Sequence, residues 1–178
     1  MGTSILFLAP MVAVIPTGSV QAAGEDNNLH LYGALVAEPC IIPVGEDEIA
    51  LDFGGIADKY LYQNTRSPGQ EFTLHLADCD LSLGAGVKMT FMGTESTALP
   101  GLLAVNSGSG TRGIAIGLET PEAKAVAINK ASEKFLLQAG DNYVPFKAYV
   151  QGEPEAISNR TITPGTFTAT ATFNLEYE

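Results

Sequence analysis

The sequence predicts an all-β domain, a sandwich of short strands. Three observations lead there. Several runs alternate apolar and polar residues with a period of two, the signature of strands with one face buried. Nineteen glycines and ten prolines divide those runs into short pieces. No stretch shows a capped 3.6-residue repeat; the best helix candidate, Ala123–Leu137, fits strand and loop as well. Short strands at regular spacing in a chain of 178 residues point to one sandwich domain.

The N-terminal stretch is of another kind. Residues 1–22 carry no charge, and Ile5–Ile15 is apolar but interrupted by Pro10 and bounded by Pro16. Val20-Gln21-Ala22 has the small-x-Ala form of a signal-peptidase site, so Met1–Ala22 is expected to be a secretory signal, although its start lacks lysine and arginine. Export gives the two cysteines a meaning. Cys40 and Cys79 are expected to pair, closing a loop of about 40 residues that contributes roughly 4 kcal/mol in the chain-entropy account. The weaker alternative is two buried thiols.

After the polar stretch Gly24–Asn28 comes Leu29–Ala37, reading LHLYGALVA, with Leu29, Leu31, Gly33, Leu35 and Ala37 on one face. It is strand-like, yet it lies outside the disulfide loop, and Pro39 bends the chain after it. Inside the loop, Cys40–Val44 and the alternating Ile49, Leu51 and Phe53 are expected to form one strand, interrupted at Gly45-Glu46-Asp47-Glu48. Gly54–Gly69 reads as a long connection. Phe72, Leu74 and Leu76 make a strand ending at Cys79, and Val87–Met92 makes another. Leu99–Val105 and Gly113–Leu118 flank the loop Asn106–Gly110, and Lys124–Ile128 is a further short strand. Tyr143–Val150 alternates again, with Pro145 marking an edge or bulge position. Gln151–Thr163 reads as a loop. Gly165–Glu178 (GTFTATATFNLEYE) closes the chain as the most regular strand, with Phe167, Ala169, Ala171, Phe173, Leu175 and Tyr177 on one face.

Chemistry is sparse. A net charge of −11 disfavours a nucleic-acid partner. His30 and His75 are the only histidines; both read as residues of solvated strand faces, and no ligand cluster suggests zinc or copper. There is no G-x-S-x-G elbow, and Asn106–Gly113 lacks the Gly-Lys-Ser/Thr ending of a phosphate loop. Glu46-Asp47-Glu48 reads as an exposed acidic turn. The expectation is a protein with no cofactor, no metal and no catalysis.

The two chain ends together resemble the pilins of the chaperone–usher pathway. The resemblance rests on a glycine fourteenth from the C-terminus, Gly165, a penultimate tyrosine, Tyr177, and alternating apolar residues between them. It also rests on the arm LHLYGALVAEPC, with Gly33 within it and Cys40 at its end, and on the cysteine pair. Met89–Val105 and Val144–Val150 look most like minor or adaptor subunits of P-type pili. The resemblance implies an immunoglobulin-like β-sandwich lacking its last strand, with a signal at 1–22, a donor-strand arm at 23–38 and a pilin domain at 39–178. It further implies that Gly165 and the apolar face Phe167–Tyr177 wall an acceptor groove that also binds the chaperone, and that Leu29, Leu31, Gly33, Leu35 and Ala37 fill a neighbour's groove. Three or four such side chains would contribute roughly 5–10 kcal/mol before ordering costs. The partners it implies are a periplasmic pilus chaperone, an outer-membrane usher and neighbouring subunits, and the destination is the cell surface. The competing expectations are a tip adhesin or lectin-like module, disfavoured by the arm and the lack of room for a second domain, and a periplasmic enzyme such as a copper–zinc dismutase, disfavoured by having only two histidines.

Overall fold

The computed structural model describes Leu29 and residues 31–178; the expected signal, Met1–Ala22, lies outside the described residues. The chain divides into two units, Met1–Leu35 and Val36–Glu178. Of the first, Leu29 and residues 31–35 carry no strand. The second is built of two antiparallel sheets.

The larger sheet holds β1 (Gln70–Cys79), β3 (Leu103–Ala104), β4 (Ile114–Glu119), β5 (Ala125–Val126) and β7 (Gly140–Gly152), in the order β1-β7-β4-β3, with β5 also on β4. The smaller holds β2 (Gly86–Met92), β6 (Phe135–Leu136) and β8 (Thr172–Tyr177), in the order β6-β2-β8. Alternation dictates which side chains meet between the layers. Phe72 and Phe146 come from the larger sheet and Phe91 and Phe135 from the smaller. The fully buried Phe146 ring stands 5.6 Å from Phe72, 5.2 Å from Phe91 and 5.6 Å from Phe135. The Phe72 contact is stacked and the two across the layers, to Phe91 and Phe135, are edge-to-face, geometries that favour the pairing beyond the area they bury. Leu76, Met89, Val87 and Val150 complete the dry centre.

The disulfide joins Cys40 to Cys79, the last residue of β1. Next to it Ile41 and Ala77 exchange two backbone hydrogen bonds of 2.9 and 2.8 Å. Pro145 lies within a long internal strand, but at a point where only one neighbour remains. β7 pairs β1 through Phe72↔Phe146 and Thr73↔Pro145, whereas its pairing with β4 runs only from Gly152 to Lys147. The missing N–H therefore falls on a locally open edge.

Three expectations are corrected. Ile49–Phe53 is not a strand: its residues alternate suitably, but no neighbour supplies a ladder, and the run is irregular beyond the Ile41–Ala77 bridge. Two short helices replace expected connections, α1 (Asp58–Asn64) and α2 (Pro154–Asn159). Neither has a side-chain cap at its N-terminus, and each is held by tertiary packing, through buried Leu61 and Ala156. Finally, His75 is not on a solvated face. Its side chain is 18% exposed, its Nδ1 lies 2.8 Å from Glu46, and its ring stacks on Tyr143 at 4.4 Å. Part of the acidic turn is thereby tied to β1.

Candidate functional site: an open groove beside the last strand

The site begins with the alternation of the C-terminal run. From 166 to 178 every even residue is exposed, and Phe167, Ala169, Ala171, Phe173, Leu175 and Tyr177 are half-buried against the core. In a closed sandwich such side chains would be buried outright. Here Phe167, Ala169, Ala171 and Phe173 line one wall of a cleft, while Leu175 and Tyr177 continue the same face beyond it.

Backbone directions explain why the cleft is open. Glu178 and Gly86 exchange two hydrogen bonds, of 2.9 and 3.1 Å. The register Lys88↔Glu176, Thr90↔Asn174 and Met92↔Thr172 therefore places the even residues' N–H and C=O groups on β2. Upstream the phase continues: the Thr166 and Thr168 carbonyls accept from Gly110 and Asn106 at 2.9 and 2.8 Å. The odd residues point their backbone groups the other way. Among the described residues, Phe167, Ala169 and Ala171 have no backbone hydrogen-bond partner, and β8 has no strand on its outer side.

Facing that edge is the irregular run Asp47–Gly54, whose backbone from 47 to 53 makes no hydrogen bond to another described backbone group. Between the two rims lies a groove of about 1010 Å³. Its floor is core: Phe72, Leu74, Phe91, Ile116, Leu118 and Ala148. At one end Phe53 and Phe167 approach to 6.1 Å. A smaller cavity of about 210 Å³, lined by Ile56, Leu61, Ile162 and Phe167 among others, adjoins that end. Two unpaired backbone edges thus flank an apolar floor.

Gly165 begins the groove wall for a steric reason. A Cβ there would stand 2.7 Å from the Gly110 carbonyl carbon and 3.1 Å from the Thr111 nitrogen, so only glycine lets the two backbones pass. At the other end the Glu178 side chain pairs with Lys88, and this hydrogen bond holds its carboxyl below the usual carboxylate range. Burial raises the Tyr177 phenol, with the Glu38 charge adding to the effect.

The predicted site residues thus fall into two sets. Gly165, Phe167, Ala169, Ala171 and Phe173 are brought together along the groove, whereas Leu175 and Tyr177 share their face but lie beyond its lining, paired to Met89 and Val87 of β2. Leu29, Leu31, Gly33, Leu35 and Ala37 are all exposed and carry no strand, and a Cβ on Gly33 would meet nothing within 4 Å. Sequence reading missed the opposite rim's irregular character and a buried charge cluster behind β4. There Arg66 donates two hydrogen bonds to Glu119, at 2.8 and 2.9 Å, with its guanidinium 4.0 Å above the Tyr149 ring. The bond to Glu119 raises Arg66 above its ordinary value despite partial burial. Only the position of Glu119, directly after Ile114–Leu118 in a buried strand, hinted that this carboxylate needed a partner. Among the described residues, no cluster of three histidine, cysteine or acidic side chains is arranged to hold a metal ion.

Residues 29–178 match the fimbrial protein family. The chain belongs to that family. It is 34% identical over 154 residues to the uncharacterized fimbrial-like protein YfcP of Escherichia coli K12, covering 85% of this chain and 84% of that one. It is 36% identical over 163 residues to the fimbrial adapter PapK of Escherichia coli, covering 88% and 90%. Its fold matches the crystal structure of the P pilus rod subunit PapA with a TM-score of 0.68 and 25% identity, over 79% of this chain and all of the other. This fimbrial protein is therefore a chaperone–usher pilus subunit, exported and assembled into surface fimbriae, with an immunoglobulin-like sandwich that lacks its last strand. Its family is one of structural subunits.

Proposed function

We propose that the groove between Asp47–Gly54 and Gly165–Phe173 is an acceptor site for a strand supplied by another polypeptide, first a periplasmic chaperone and then the N-terminal arm of the next subunit. The carrying observation is the phase of the last strand. Its even residues bond inside the domain, while its odd residues offer unpaired N–H and C=O groups beside an apolar floor. An inserted strand would satisfy both rims and close the core, which is β-augmentation; the handed-over strand of chaperone–pilin complexes is a known instance. Left empty, the same edge is an aggregation template, which supports the need for a chaperone before an outer-membrane usher receives the subunit.

By the same logic, this chain's own segment Leu29–Ala37 would serve the neighbouring subunit. Its described residues are exposed and unpaired, and Leu31 and Leu35 would act as anchors while Gly33 leaves room where the floor rises.

Deleting residues 23–37 tests the reading. The truncated subunit should still form a one-to-one complex with its chaperone, yet fail to attach to the preceding subunit in an in-vitro assembly reaction. A truncated subunit that is a stable monomer without chaperone, or that still polymerises, would sink the proposal. An alternative role as a tip adhesin has less support, since the similar proteins include a fimbrial adapter and a pilus rod subunit and the large apolar cleft is accounted for by the missing strand.

A further inference from the structure

The rims of the groove are not electrically neutral. Asp47, Glu48 and Asp52 line it, and no lysine or arginine does. The Phe53–Phe167 contact places Asp52 at one end of the slot, and Asp47 and Glu48 line it five and four residues earlier. The chain's own arm carries the same sign at both of its ends: Glu25 and Asp26 precede Leu29–Ala37, and Glu38 follows it. Whichever direction a second copy's arm took through the slot, carboxylates would approach carboxylates. An inserted strand lies about 4.8 Å from each neighbour, well inside the Debye length of about 8 Å at physiological ionic strength. The whole chain, at net charge −11, adds a repulsive field at longer range.

We infer that the groove's occupant in the assembled fibre is an apolar strand donated by a different subunit, with lysine or arginine flanking its apolar core, and that a second copy of this chain is discriminated against by charge. The inference rests on the acceptor-groove reading above. The apolar pattern of the arm allows any such strand to fit the floor; the rim decides between donors. Because the rim charges are exposed, the discrimination falls mainly on the association step and weakens with salt. Self-addition is thereby slowed without altering the hydrophobic contacts that hold a correct neighbour.

The test uses the full mature chain in complex with its chaperone, and three synthetic peptides of residues 23–38. One is native, one carries Glu25→Lys, Asp26→Lys and Glu38→Lys, and one carries Leu31→Asp and Leu35→Asp as a control for the apolar floor. Chaperone release is followed in low and in high salt. The expected result is that the charge-reversed peptide displaces the chaperone roughly tenfold faster than the native peptide at low salt, that the two rates converge at high salt, and that the control is inert. Equal rates for native and charge-reversed peptides at low salt would overturn the discrimination while leaving the acceptor groove standing. If all three peptides are inert at every salt concentration, or if the control displaces as fast as the others, the acceptor reading itself falls and this inference with it.

Discussion

At the scale of single residues, the groove wall depends on one position where a side chain cannot be accommodated. Gly165 lies against the backbone of Gly110 and Thr111, with 2.7 Å available to a Cβ, and backbone atoms cannot swing aside as the tip of a side chain can. Gly165→Ala should therefore destabilise the subunit by about 1–3 kcal/mol, the usual cost of forced overpacking, measured by chemical denaturation of the groove-filled form. Gly33→Ala is the control. Its Cβ meets nothing within 4 Å, and the denaturation midpoint should not move. The other informative residue is His75. Its place on the polar phase of β1 was visible in the sequence, but its partner was not. Glu46 lies 29 positions earlier, and the chain reversal held by the Cys40–Cys79 bond and the Ile41–Ala77 bridge carries that acidic turn to the ring. Sequence periodicity reports which face a residue occupies and carries no information about which distant loop covers it.

At the scale of elements, β8 is fastened at its far end by exposed charges. Lys88 donates to the Glu178 carboxylate, and Lys134 stands 3.6 Å away on the other side. Because Glu178 is held below its ordinary value of 4.5, its contribution is complete above that pH and is lost as acid carries the solution down through the lower folded-state value. The stability gap between the wild type and Glu178→Gln should accordingly be present at pH 7 and close toward pH 3, as read from thermal midpoints across that range. High salt should shrink it at any pH, since the pair is solvent-exposed. The strands β1, β2, β7 and β8 were legible because each supplies at least three alternating apolar residues that pack between the sheets. The helices α1 and α2 were not, since one or two turns without a cap carry too little periodicity to register. Ile49–Phe53 is the opposite case. Its alternation reads as a strand, and the residues do line the groove, but a strand also needs a ladder, and no partner edge is present among the described residues.

At the scale of the whole molecule, a domain with an open core leans on its covalent link. The disulfide closes a loop of 39 residues' separation, starting beside the groove's irregular rim and ending at the close of β1. Replacing both cysteines, Cys40→Ala with Cys79→Ala, should lower stability by roughly 4 kcal/mol, visible as a shifted denaturant midpoint of the chaperone-free, peptide-filled subunit. The sandwich class was readable from alternation and turn residues alone, and the cysteine pairing followed from the expected export. The openness of the sandwich was not a matter of composition or periodicity. The resemblance of the chain ends implied it, but its physical cause is the direction of backbone groups along the last strand, which is a property of pairing rather than of side chains.

That unpaired edge has a consequence for heredity. If the proposed donor strand comes from a different subunit, part of the information that completes this fold lies outside its own coding sequence. A substitution in the donor's arm would appear as poor folding of this chain, while the donor itself remained sound. Compensating changes would then accumulate in two genes at once, one shaping the odd face of β8 and the other the strand laid against it. A stability measurement made on either product by itself would miss the selection acting on both.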